Sequence, residues 1–342
     1  MSLTRSETIL KMIVEYFIKT AEPVGSQTLI EQYDLPYSSA TIRNEMSALE
    51  KMGYLEKPHT SAGRIPSSKG YAYYCEHLRD KDVDDELRYS LQAVLSSKIQ
   101  SIEEVIKQSC EIISHMTKLV SVVSQPDEEK ERLASVQLVP INENTITAIF
   151  VTDKGYVQNK TFILDESIKA DDIVKCVNIL NDRLKGTPVT ELIEKMEAIK
   201  PILSDYVVSH DAVYQALLET FVRFAGDRLS LYGREELFSH PEFKNDTEAL
   251  IRVMKLLDDA SLFKKVDRQA IDSGEPTVNI GDIEGNPDVA LVTATIKVGG
   301  DSENTITLVG PKRMDYDKAL SALEYLTQEL EKYFNDKGGS EE

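Results

Sequence analysis

No tryptophan occurs in the 342 residues, and the only three cysteines, Cys75, Cys110 and Cys176, lie far apart. No pair of them has the spacing of a zinc site or a redox motif. No metal–thiolate or disulfide framework is therefore expected, and scattered thiols suit small buried hydrophobes in a reducing compartment. Long apolar runs are missing too: Leu119-Val120 and Val122-Val123 fall far short of the roughly 20 residues that span a bilayer. The opening MSLTRSETIL lacks the apolar core of a secretory signal. These absences predict a cytoplasmic protein. The histidines, His59, His77, His115, His210 and His240, include no pair at helical metal spacing, and no GxSxG, Walker or GxGxxG sequence occurs. Asp171-Asp172 and Asp258-Asp259 are neighbouring carboxylates expected on helices, where they point apart. No enzymatic chemistry, cofactor or metal is expected.

Positive charge is scarce but concentrated. The chain carries a net charge of −19, yet residues 1–80 hold nine basic and ten acidic side chains, which leaves −18 for the rest. Within 36–73, Arg43, Lys51, Lys57, Arg64 and Lys69 outnumber Glu45, Glu50 and Glu56. An acidic body with one locally basic stretch permits nucleic-acid binding at the N-terminus.

Thr4-Arg5-Ser6-Glu7 is a capping box, and Ile9, Leu10, Ile13, Val14, Phe17 and Ile18 form the apolar stripe of the helix it opens. Pro23 and Gly25 end that helix. Ser26 is placed to cap a second, short helix carrying Leu29, Ile30 and Tyr33. After the turn Asp34-Leu35-Pro36, Ser38 or Ser39 caps a third helix with Ile42, Met46 and Leu49 on one face and Gly53 after its end. Two short helices across a tight turn suggest helix-turn-helix. At about 100° per residue, Ala40, Asn44, Ser47 and Lys51 lie opposite the apolar face, flanked by Thr41 and Arg43. That face is small, polar and basic, as a major groove requires; by itself it also fits a solvated helix. Tyr54-Leu55-Glu56-Lys57 and Arg64-Ile65-Pro66 read as strands around the turn Pro58–Gly63. A hairpin directly after a helix-turn-helix is a wing, with Lys57, His59, Thr60, Ser61 and Arg64 beside phosphate or the minor groove.

Beyond residue 85 the reading is coarser. Apolar positions from Leu87 to Val123, including Leu119, Val120 and Val123, recur at helical spacing, as one long helix or two, with core packing preferred to a free coiled coil. Asp127–Arg132 is a charged break. Ser135–Pro140, Thr145–Thr152 and Tyr156–Leu164 read as strands of a meander, separated by Asn142-Glu143-Asn144 and Asp153-Lys154-Gly155. Residues 168–230 show three helical faces: Ile173, Val177 and Leu180; Leu192, Ile193, Met196 and Ile199; and Val213, Leu217, Phe221, Phe224 and Leu231. Strand character returns at Thr277–Ile280, Ala290–Val298 and Asn304–Val309, the last pair turned by Gly299-Gly300-Asp301. Asp315 is placed to cap a final helix with Leu320, Leu323, Leu326 and Leu330.

The run SSATIRNEMSALEKMGYLEKPHTSAGRIPSSKGYAYY, preceded by EPVGSQTL, resembles the N-terminal signature of the HrcA family of heat-inducible transcription repressors. PHTSAGRIP followed by KGYAYY is the most specific part. Ile306–Tyr316, Leu231-Tyr232-Gly233 and His240-Pro241-Glu242-Phe243 extend the likeness over essentially the whole chain. Two departures stand out. Asp34 replaces the usual Gly, and Gly285 separates a Glu–Asn pair that is usually adjacent.

The resemblance implies an α+β multidomain chain: an N-terminal winged helix-turn-helix and a GAF-like α/β domain with an inserted dimerisation subdomain. The expected bounds are 1–85 for the winged helix, 86–165 and 235–335 for the GAF-like domain with its connecting helix, 166–234 for the insertion and 336–342 for a disordered tail. It further implies a homodimer that represses heat-shock chaperone operons at the CIRCE inverted-repeat operator, assisted by the GroE chaperonin. Arg43, Asn44 and Ser47 are the expected base readers. Lys51, Lys57, Arg64 and Lys69 are expected on phosphate, and Ser38, Ser39, Thr41, His59, Thr60 and Ser61 complete the DNA-binding set. Two rival readings remain: a metabolite-responsive repressor that senses through the GAF-like domain, and an acidic chaperone-interaction scaffold without DNA binding.

Overall fold

The computed structural model describes residues 3–59, 62–96, 102–124, 131–142, 145–155, 157–163, 170–206, 214, 218, 229–297 and 303–338. Contacts divide the chain into two units, Met1–Ser124 with Leu229–Glu342, and Gln125–Arg228.

The first unit opens with α1 (Arg5–Thr20), α2 (Ser26–Tyr33) and α3 (Ser39–Lys51). The capping box forms as expected. The Glu7 N–H donates to Thr4 Oγ1 at 3.3 Å and the Thr4 N–H to the Glu7 carboxylate at 2.8 Å. Hydrogen bonds from Thr4 and Tyr73 hold the Glu7 carboxyl down at about 2. Gly25, not Ser26, is the N-cap of α2; Ser26 sits inside the helix, buried, with its hydroxyl 2.8 Å from that of Ser39. Asp34 adopts φ 47°, the left-handed turn that Gly would otherwise supply. Ser38 caps α3, accepting from the Thr41 N–H at 3.2 Å, and Gly53 follows the helix at φ 81°. Strands β1 (Leu55–Glu56) and β2 (Ile65–Pro66) pair as an antiparallel hairpin. Helix α4 (Ser68–Tyr73) then runs into a π-turn at Tyr74–Leu78.

The apolar stretch after Leu87 forms α5 (Asp85–Leu95) and α6 (Ile102–Thr117), then leaves the helix. Lys118 takes φ 60°, Leu119 lies past the helix, and Val120 and Val123, expected on a helical stripe, belong to β3 (Val120–Ser124). The β-branched Val-Ser-Val-Val sequence fits a pleat better than a helix turn. Leu231, also expected on a helix, lies in β7 (Ser230–Tyr232). With β8 (Thr277–Ile280), β9 (Val289–Lys297) and β10 (Glu303–Pro311), these strands build an antiparallel sheet in the order β7-β3-β10-β9-β8. Alternation along the strands gives each face its own core. Ala290, Val292, Ile306 and Leu308 join the core of the first three helices, α5, α6 and α12 (Tyr316–Gly338). Val120, Val122, Leu291 and Val309 pack under α10 (Thr247–Leu257) and α11 (Ala260–Ser273), which follow the short α9 (Pro241–Lys244). Apart from the expectation that Asp258-Asp259 lie on a helix, the sequence points to no helix over 247–273. Asp258 and Asp259 do not share a helix: the first ends α10 and the second caps α11. Asp315 caps α12 through the Lys318 N–H at 3.1 Å, and residues 336–338, expected in the tail, continue that helix.

The second unit pairs β4 (Leu133–Asn142), β5 (Thr145–Thr152) and β6 (Val157–Ile163) as the expected meander, with α7 (Ala170–Leu184) and α8 (Leu192–Tyr206). Val136, Ala148 and Phe150 pack on Leu180, Leu192 and Met196. This corrects a boundary. The meander buries its inner face on these helices and not in the five-stranded body, so the first part of that body ends at Ser124 rather than at 165. The expected helical face at Val213, Leu217, Phe221 and Phe224, the turns at 143–144 and 299–301, and the tail at 339–342 lie outside the described residues. All three cysteines are free and buried. Among the described residues no helix is long and apolar enough to cross a membrane.

Candidate nucleic-acid interface

Helix α3 buries Ile42, Met46 and Leu49 in the three-helix head, which turns Ala40, Arg43, Asn44 and Lys51 outward. Thr41 and Ser47 are half-buried at its edges. Two ties fix its orientation. Glu45 accepts from the Ser6 hydroxyl at 2.5 Å and from Arg5 Nε at 2.8 Å, and these bonds hold its carboxyl below the usual range. Ser39 meets Ser26 of α2. Ser38 and Ser39, expected at DNA, are thus occupied by a cap and a helix tie. Among the described residues no hydrogen bond or ion pair engages the side chains of Arg43, Asn44 and Lys51. They are free to reach a groove.

The hairpin stands beside this helix because its return strand is pinned. The Val24 N–H donates to the Arg64 carbonyl and the Arg64 N–H to the Val24 carbonyl, each at 2.8 Å. Gly63 allows that approach, since a Cβ there would lie 2.4 Å from the Val24 oxygen. Lys57 and His59 are exposed, whereas Thr60 and Ser61 lie outside the described residues.

Two expected phosphate contacts are otherwise engaged. Arg64 is 12% exposed and its guanidinium holds Glu50, with Nε at 2.9 Å and Nη2 at 2.7 Å, tying the hairpin to α3. Lys69 donates to the Met52 carbonyl at 2.8 Å and lies 4.6 Å above the Tyr54 ring. It neutralises the C-terminal end of α3, where a cation is favourable. Sequence reasoning missed Tyr37, 39% exposed just ahead of the α3 cap, with Arg5 5.6 Å over its ring. An aromatic next to a capping serine was its only signal.

The geometry suits duplex recognition. Arg43 and Asn44 carry the side chains that pair bidentately with guanine and adenine, and the hairpin cations suit backbone contact. Away from this face, Glu15, Asp80 and Asp317 bring carboxylates within 4.8 Å of one another, and Lys11 already reaches Asp80 at 2.6 Å.

The profile of the HrcA protein C terminal domain matches residues 103–320. The heat-inducible transcription repressor HrcA of Halalkalibacterium halodurans is 38% identical over 338 residues, covering 97% of each chain. Its namesake in Bacillus pumilus is 36% identical over 339 residues, covering 96% of this chain and 97% of its own. A solved structure described as a hypothetical protein at 2.2 Å resolution shares the fold, with a TM-score of 0.64 at 24% identity over 98% of this chain and 99% of its own. The chain belongs to the HrcA family of heat-inducible transcription repressors.

Proposed function

We propose that this chain represses heat-shock chaperone operons by binding the CIRCE inverted-repeat operator as a homodimer in the cytoplasm. The observation that carries the reading is the unengaged Arg43–Asn44 face of α3 beside a hairpin with exposed Lys57 and His59, in a chain of a repressor family. On this reading the head is a winged helix, the five-stranded body is the GAF-like domain, and 125–228 is the inserted dimerisation subdomain. Its meander exposes Val139, Ile141, Val157 and Ile163, the last at 83%, which is apolar surface that a second copy would cover. Two heads related by a two-fold axis match two half-sites. The same apolar surface gives the GroE chaperonin a handle on the unassembled chain, consistent with a chaperonin that helps the repressor reach its active form.

A gel shift at fixed salt tests this reading. The full chain, supplied with chaperonin, should bind an inverted-repeat chaperone-promoter fragment about 10³-fold or more tighter than scrambled duplex. Equal affinity for both would remove the proposal.

A further inference from the structure

Three motifs of this chain take no part in the DNA-facing surface: Lys69–Tyr74, His240–Phe243 and Gly310–Tyr316. The fold brings them to one seam between the head and the five-stranded body. Arg313 is one crossing point. Its Nη1 donates to the Ile18 carbonyl at 2.7 Å, in the last turn of α1, and its Nε donates to Glu242. Nearby, the buried rings of Tyr71 and Tyr316 meet at 5.3 Å. Tyr74 donates to Asp317 at 2.7 Å, and Arg79 pairs with Glu324.

We propose that this seam is an angular latch, in which Arg313, held by Glu242, is a positioning residue that sets how the DNA-reading head stands on the body and so which half-site spacing a dimer accepts. The inference rests on the DNA-reading function proposed above.

Geometry supports it in three ways. Head and body are joined in the chain by the short stretch 79–84, which has neither helix nor strand. An apolar contact is non-directional, whereas a guanidinium donating along two fixed directions to two different elements is not. The latch is also under-satisfied. One oxygen of Glu242 and one of Asp317 are buried and accept no hydrogen bond among the described residues. A buried acceptor left idle is costly, so the locked arrangement is held less firmly than a fully paired one. Beside the seam lies a cleft of about 470 Å³ lined by Glu15, Tyr74, Asp80 and Asp317.

The test uses the full chain and two readouts. Spin labels at Met52→Cys on the head and Phe238→Cys on the body occupy exposed positions, while the native thiols are buried. The distance distribution should be narrow in the parent, broad in Arg313→Gln and intermediate in Arg313→Lys, which keeps the charge but not the fork. On DNA, Arg313→Gln should keep its affinity for a single half-site within about twofold. It should lose about tenfold on the best-spaced inverted repeat, as expected for one lost charge-assisted hydrogen bond, and its preference among spacer lengths should flatten. An unbroadened distribution, or equal losses on half-site and full site, overturns the latch. If the parent reads no operator, the proposed function falls while the distance measurement still decides the latch. Should Arg313→Gln not fold, Glu242→Gln takes its place and must broaden the distribution likewise.

Discussion

At the scale of single residues, the basic stretch near the N-terminus divides into two kinds of cation. Arg64 and Lys69 are spent inside the head, on Glu50 and on the Met52 carbonyl. Lys57 stands in solvent, as do Arg43 and Asn44. Sequence spacing alone does not separate these classes, because whether a cation is engaged depends on a partner brought near by the turn. The division predicts different binding defects. On the proposed reading, Asn44→Ala should cost about 1–3 kcal/mol on operator DNA and much less on random duplex, because an adenine edge would lose its bidentate partner. On the same reading, Lys57→Ala should weaken both equally and reduce the slope of log K against log salt by about one, because one phosphate contact would be lost. Anisotropy titrations on both duplexes at several salt concentrations separate the two. Parallel losses for both variants would refute the assignment.

At the scale of elements, the hairpin depends on one close approach. A Cβ at position 63 would overlap the Val24 carbonyl that holds the return strand, and backbone cannot yield as a flexible side chain does. Gly63→Ala should therefore destabilise the head by about 1–3 kcal/mol, the usual cost of overpacking, and weaken DNA binding although α3 keeps its exposed face. Thermal unfolding together with operator affinity checks it; an unshifted melting temperature would show that the strand is not pinned there. The elements around this hairpin were legible because their signals are local: the Thr4–Glu7 box, the Ser38 cap, Asp34 in its turn and Gly53 after α3 all act within a few residues. The strand β3 was not legible. Leu119, Val120 and Val123 keep helical spacing, and only the turn at Lys118 and pairing with β10, some 180 residues onward, take Leu119 out of the helix and make Val120 and Val123 part of a strand. The meander's alternation was read correctly, but alternation does not say which helices cover it, so the boundary fell at 165 instead of Ser124. The seam at Arg313 joins residues 71 and 295 positions apart, and no periodicity records such a pair.

At the scale of the molecule, the acidic body buries a carboxyl that no ion pair neutralises among the described residues. Asp267 of α11 is fully buried, accepting from Thr305 of β10 at 2.6 Å and from Ser124, the last residue before the chain enters the second unit. Burial pushes its carboxyl above the usual range, and the two hydroxyl donors offset this only in part. Burial shifts Glu15 and Asp317 in the same direction. A carboxyl whose folded pKa is raised takes up its proton more readily folded than unfolded. The stability it contributes is complete below the ordinary carboxylate pKa and is lost as pH rises through the folded value. At neutral and alkaline pH the native state therefore bears the cost of a buried, unneutralised carboxylate. Asp267→Asn keeps the shape and the capacity to pair with both hydroxyls while removing the charge. It should be more stable than the parent by about 1 kcal/mol near pH 8, the order of one charged-group hydrogen-bond difference. That advantage should shrink steadily as pH falls toward the ordinary carboxylate range, where the parent is protonated too. Melting temperatures of the two chains across this window measure the gap. Glu15 and Asp317 are common to both and cancel from the difference, so a gap that stays constant with pH would mean that Asp267 does not titrate there and that its two hydroxyl donors fully support the charge.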